Sequence, residues 1–187
     1  MALREEGLAH IETVGRKLLT FSRQSSRHPS HININEEIRL VLSLLAYRLE
    51  QKRISVQTEL DEQLPPVFAD GQLIQEVLMN LLINSYDAVA EQGRVIIRSG
   101  RQSDDRIFVS IADDGPGVPP EMIEKIFDPF FTTKGEGEGT GLGLSVSLGI
   151  VEAHDGELTV SSRPGETVFT IILPIAANEE RHENSAD

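Results

Sequence analysis

The chain has 187 residues and contains neither cysteine nor tryptophan. Without cysteine there is no disulfide, no thiolate zinc site and no cysteine nucleophile, and cysteine usage leaves the compartment open. Basic residues are also in short supply: 17 Lys and Arg stand against 30 Asp and Glu, a formal charge of −13. So acidic a chain lacks the basic face that duplex DNA or RNA requires, and it is a poor partner for an anionic membrane surface. No apolar run approaches the roughly 18 residues of a membrane-spanning helix. The first twenty residues interleave charged and apolar groups, unlike a secretory signal. The expectation is a cytoplasmic chain, or the cytosolic part of a membrane sensor, with no nucleic acid partner and no direct membrane contact. Its length suits one compact domain with a short appended element.

Hydrophobic spacing organises the rest. Leu8, Ile11, Val14, Leu18 and Phe21 form one helical stripe, which also fits a short coiled-coil seam, and the polar stretch Ser22 to Ser30 reads as a linker. Asn33, with Glu36 three residues on, caps a predicted helix from Asn35 to about Gln51. Ile54, Val56, Thr58 and Leu60 alternate as in a half-buried strand. Asp70 caps a third helix, predicted over Gln72 to Glu91, and a hairpin over Val95 to Ile111 turns at Ser103-Asp104-Asp105. The glycine-rich stretch Asp114 to Gly143 holds little pattern beyond a short helix predicted at Pro119 to Ile126. A helix from Leu142 to His154 and strands Glu157 to Ser162 and Thr167 to Leu173 close the domain, ahead of a polar tail expected to be disordered.

Three places carry chemistry. Asn80 and Asn84 lie one turn apart on the third helix, with Glu76 and Asp87 a turn to either side. Carboxamides in an apolar run need partners. Neighbouring backbone is the commoner one, while their neutral oxygens also suit a Mg2+ ion that keeps its waters and phosphates. Asp113-Asp114-Gly115-Pro116-Gly117 follows a strand. It reads either as a plain turn or as a carboxylate facing an exocyclic amine, with glycines that let a flat ligand approach the backbone. From Lys134 to Ser145, five glycines at alternate positions run straight into a helix N-terminus, an arrangement that cradles phosphate. Neither a Walker A loop nor a G-x-G-x-x-G turn occurs there.

In their order and residue types these sites resemble the ATP-binding catalytic domain of sensor histidine kinases, within the gyrase/Hsp90/histidine kinase/MutL superfamily. Gln75 to Ser85 looks like the N box, Asp113 to Gly117 the G1 box, Phe127 to Phe131 the F box and Gly139 to Leu144 the G2 box, and Gly165 to Phe169 matches the terminal motif. The resemblance runs from about Asn33 to Pro174. It implies an α+β fold: a two-layer α/β sandwich of Bergerat type, with a mixed sheet against about three helices and an added N-terminal helix. Residues 1–28 would be a remnant of a dimerisation helix with its linker, 31–176 the catalytic domain and 177–187 the tail.

The resemblance also implies ATP and Mg2+ as cofactors. Asn84 would bind Mg2+ with help from Asn80, and Asp87 lies beside them. Asp113 would read the adenine amine, Thr167 would support it through water, and Gly115 and Gly117 would give the base room. The backbone of Gly139, Thr140, Gly141, Leu142, Gly143 and Leu144 would hold the phosphates, and Lys134 would approach the γ-phosphate. Phe130 and Phe131 would anchor a lid at about Pro119 to Thr140, although either is as readily a core residue. Related ATPases and anti-sigma serine kinases carry Glu where this chain has Asn80. An amide cannot abstract a proton, which favours transfer to an imidazole over hydrolysis. Many histidine kinases place a basic residue where Asp87 stands, so charge neutralisation falls to Mg2+ and Lys134.

Leu8 to Arg23 looks like the second helix of the family's dimerisation domain, and the first helix, with its phospho-accepting His, is missing. His10 is followed by Ile11-Glu12-Thr13 and does not match that motif. The expected partners are a His-bearing dimerisation helix of the parent kinase, a response-regulator receiver domain and, in the full-length enzyme, a second copy. The rival reading is a degenerate nucleotide-binding module that regulates a partner without phosphotransfer.

Overall fold

A computed structural model describes residues 28–133 and 139–176. The predicted helix over Leu8 to Phe21, His10, the tail and Lys134 lie outside the described residues.

After a short strand β1 (Ser30–Ile32), Asn33 opens helix α1 (Ile34–Gln51), its side chain accepting the Asn35 N–H. The buried positions Ile34, Ile38, Val41, Leu45 and Leu49 give α1 one apolar face. Strand β2 (Ser55–Leu60) follows, then β3 (Val67–Ala69), which pairs antiparallel with β1. Asp70 caps helix α2 (Gly71–Ala88), accepting from the N–H groups of Gln72 and Leu73. The hairpin strands β4 (Arg94–Arg101) and β5 (Arg106–Asp113) lead into the glycine-rich region. Beyond it come helix α3 (Gly143–Glu152) and strands β6 (Glu157–Arg163) and β7 (Glu166–Pro174).

The main sheet runs β2-β4-β5-β7-β6, with β2 parallel to β4 and every other neighbour antiparallel. Alternate residues Val95, Ile97, Ile107, Val109, Ile111, Phe169, Ile171 and Leu173 turn inward and share one core with the buried faces of α1, α2 and α3. A mixed five-stranded sheet packed against three helices is the two-layer sandwich that the resemblance implied. The register sets Asp113 directly opposite Thr167, at the end of β5 and the start of β7.

Some boundaries differ from expectation. Helix α2 stops at Ala88, short of Glu91: Val89 turns to extended backbone and Gln92 takes a positive φ of 62° ahead of Gly93. The helix expected over Pro119 to Ile126 shrinks to a 3-10 turn at Pro120–Met122, followed by bonds from the Lys125 and Ile126 N–H groups to the Met122 carbonyl. Only Val56 and Leu60 of β2 are half-buried and Thr58 is exposed, because β2 is an edge strand with one neighbour. Ser30, at the end of the expected linker, instead enters β1.

Candidate functional site

The apolar stripe of α2 (Ile74, Val77, Leu78, Leu81, Leu82) is buried, which turns Asn80 and Asn84 towards the helix's other side. There they meet the loop leading into α3, across a cavity of about 360 Å³. Of the predicted residues, Asn80, Asn84, Asp87, Gly117, Gly139, Thr140, Gly141, Gly143 and Leu144 line this cavity. Ile83, Val118, Ile126 and Phe131 supply apolar wall. Segments far apart in sequence thus meet at one concave site.

Asn80 is held from the α3 side. Its amide nitrogen donates to the Gly143 carbonyl at 3.4 Å and to the Ser147 hydroxyl at 3.3 Å. A carbonyl only accepts, so this fixes the orientation of the amide and leaves its oxygen for the cavity. The reading of Asn80 as an amide satisfied by neighbouring protein thus holds for its nitrogen, and no hydrogen bond among the described residues engages its oxygen.

Helix α3 begins without a side-chain cap, because Leu142 precedes it. Gly143 and Leu144 of its first turn line the cavity, and a helix N-terminus in this state suits anionic oxygens. The loop is shaped by two backbone specials. Gly141 has φ +63°, and a Cβ there would lie 2.4 Å from the Phe130 carbonyl carbon. Phe130 itself has φ +68° and donates its N–H to the Gly141 carbonyl at 2.9 Å. The two phenylalanines divide the task of holding the loop: Phe131 packs against the core, while Phe130, 60% exposed, holds by its backbone.

Asp113, Gly115, Leu142 and Thr167 are not on the cavity wall. Asp113, Leu142 and Thr167 are buried. Asp113 accepts the Gly115 N–H on one oxygen and the Ser85 hydroxyl on the other, each at 3.0 Å. Burial pushes the Asp113 carboxyl above its ordinary value, those two hydrogen bonds pull it back, and the neighbouring Asp114 adds a smaller upward push. Thr167 bonds the Ser162 hydroxyl at 3.0 Å, and Ser162 accepts the Val118 N–H at 2.8 Å, tying Val118 to the β6–β7 hairpin. Gly117 needs its lack of a side chain: at φ +86° a Cβ would fall 2.5 Å from the Arg163 carbonyl oxygen. Ser85, Ser147 and Ser162 escaped the sequence reading. For Ser85 and Ser147 the one available signal was a hydroxyl inside a largely apolar helix run, which must find a partner; Ser162, on strand β6, offered none.

Residues 69–177 match the family described as histidine kinase-, DNA gyrase B- and HSP90-like ATPases. The chain belongs to this family. Within it the likeness is to histidine kinases. Signal transduction histidine-protein kinase AtoS of Escherichia coli (strain K12) is 40% identical over 166 residues, covering 88% of this chain and 27% of AtoS. The nucleotide-free catalytic domain of histidine kinase ThkA superposes with a TM-score of 0.72 at 36% identity, covering 79% of this chain and 97% of that domain. ThkA in complex with the response regulator TrrA gives 0.76 at 32% identity, over 91% of this chain and 48% of the ThkA chain. The chain spans roughly a quarter to a third of the length of the curated relatives it matches. Membership of an ATPase family implies that the domain binds ATP. No helix among the described residues is long and apolar enough to cross a membrane.

Proposed function

We propose that this chain is the ATP-binding catalytic part of a cytoplasmic two-component sensor kinase. It binds Mg-ATP and gives the γ-phosphate to a histidine on a dimerisation domain, for relay to a response-regulator aspartate. Residues 1–28 would then be the remnant of a dimerisation helix and its linker, 31–176 the catalytic domain and 177–187 a tail. In the full-length enzyme two copies would associate.

The observation that carries this reading is the fixed amide of Asn80 at the cavity wall, beside the uncapped start of α3. A carboxylate at that place could take a proton from water, whereas an amide cannot. The residues present fit Mg2+: Asn84 and the free oxygen of Asn80 are neutral oxygen donors. Among the described residues no cluster of three or more His, Cys, Asp or Glu could hold a metal by itself. An ion that keeps its waters and arrives on phosphates matches that sparse set, and when bound it would neutralise phosphate charge.

The chain's own residues do the rest. Asp113 accepts from the adenine amine, with Thr167 beside it and Gly115 and Gly117 giving the base room. The N–H groups of Gly139 to Leu144 hold the phosphates, and Lys134 reaches the γ-phosphate. Transfer forms a bond from an imidazole nitrogen to phosphorus and breaks the bond to the β,γ-bridging oxygen, releasing ADP.

Incubating the purified chain with Mg2+ and γ-labelled ATP tests this. Bound ATP, little free phosphate and no label on the protein are expected. Brisk hydrolysis would overturn the argument from Asn80, and acid-labile label on the chain would return one of its five histidines, His10 first, to the role of acceptor.

A further inference from the structure

Asp113 is the only buried charged residue among those described, at 4% exposure. A buried carboxylate is tolerated when its lone pairs are engaged, and here they are engaged from two sides. The Gly115 N–H holds Oδ1 from within the same turn, and Ser85 holds Oδ2 from helix α2. Ser85 is itself 1% exposed and immediately follows Asn84. Asp113 accepts the hydroxyl proton of Ser85, and no other group among the described residues bonds that hydroxyl. Two other buried serines differ: Ser147 bonds a backbone carbonyl and Ser99 an amide oxygen. Alanine would serve α2 better by propensity, so the hydroxyl at 85 is set against the local preference of the helix.

We infer that Ser85 is a positioning residue for base selection: by gripping one oxygen of Asp113 it aims the remaining acceptor lobes at the exocyclic amine of an adenine. Two donors on opposite oxygens fix the plane of the carboxylate, which a single donor would leave free to rotate about χ2. Without Ser85 the carboxylate keeps its charge and place in the sheet but loses its aim. A site built to accept a hydrogen bond rejects ligands that lack the donor, and the rejection is only as sharp as the acceptor is well placed. This inference rests on the ATP reading of the cavity and deepens it.

Calorimetric titration separates the two. The intact chain and its Ser85→Ala variant are each titrated with ATP and with purine riboside 5′-triphosphate, which carries hydrogen in place of the amine. ATP should bind Ser85→Ala about tenfold more weakly, in line with a hydrogen bond to a charged group. The purine riboside nucleotide should change by less than about twofold, because nothing on it needs the aimed carboxylate. On an Asp113→Asn background, Ser85→Ala should leave the preference for ATP unchanged. Ser85→Cys, close in size and a weak donor, stands in if the alanine variant melts early, and should lose part of the ATP preference. Equal loss on both nucleotides, or no loss for ATP, overturns the positioning role. Failure of the unaltered chain to bind ATP would instead overturn the reading of the cavity.

Discussion

Helices α2 and α3 lie side by side, yet they begin in opposite ways. At α2, Asp70 accepts the N–H groups of Gln72 and Leu73 with its side chain. Its own N–H donates to His154 Nε2 at 3.1 Å, and the other nitrogen of that ring meets the Ile150 carbonyl of α3. The start of one helix is thus locked to the end of the other. At α3, Leu142 offers no cap, and a loop containing two positive-φ residues brings the bare N–H groups to the cavity. A helix end closed by protein contributes to folding, and one left open beside a cavity is available to an anion.

The largest way to break this contrast is Gly141→Ala. The added Cβ would meet the backbone of Phe130, so the two segments of the loop must part rather than merely tolerate a strained φ. We expect roughly hundredfold weaker binding of ATP, about 2.7 kcal/mol, with little change in thermal midpoint because the loop lies outside the core. Isothermal titration paired with a thermal melt checks it, and a large drop in midpoint with intact affinity would contradict the division. Asp70→Ala should do the reverse. Losing the cap costs about 1–2 kcal/mol and a few degrees of melting temperature, while ATP affinity stays within about twofold.

The same division explains how far the sequence could be read. Helices α1 and α2 announce themselves through Asn33 and Asp70, whose side chains act within three residues, and through stripes of apolar residues at helical spacing. Asn80, Asn84 and the loop into α3 were found because their chemistry is local: a helix turn in one case and a run of glycines in the other. The short strands β1 and β3 were missed, since three residues are too few for alternation and their partners are 35 or more positions apart, as in Ile32 and Val67 at the shortest. Residues that act only across the fold were also illegible. Nothing beside Asn35 predicts that it would be buried against Ser99 and the Asp61 carbonyl. Likewise Ser162 gains its role only once the sheet places Thr167 opposite Asp113 and Val118 beside β6.

The smallest effect concerns Asp113, buried behind the cavity wall, which on the proposed reading would take the base through one carboxylate rather than through backbone. Burial, the leading cause, makes Asp113 hold its proton to higher pH in the folded chain than in the unfolded one. Folding therefore takes up a proton between the ordinary aspartate value and the raised one. The stability contributed by the neutral carboxyl is fully present below the ordinary value and is lost as pH rises through the raised value. Adenine binding runs the other way, because the amine needs an acceptor and gains it as the proton leaves. Urea unfolding of the unaltered chain and of Asp113→Asn, from about pH 3.5 to 7, should show the stability difference (unaltered minus variant) falling as pH rises. Over the same range the ATP affinity of the unaltered chain, relative to the variant, should climb. Asparagine cancels both drifts since it offers a carbonyl acceptor but never ionises. A stability difference that grew with pH would mean that the Gly115 and Ser85 hydrogen bonds outweigh burial, and that the base end is a pre-paired anion site like any salt-bridged carboxylate.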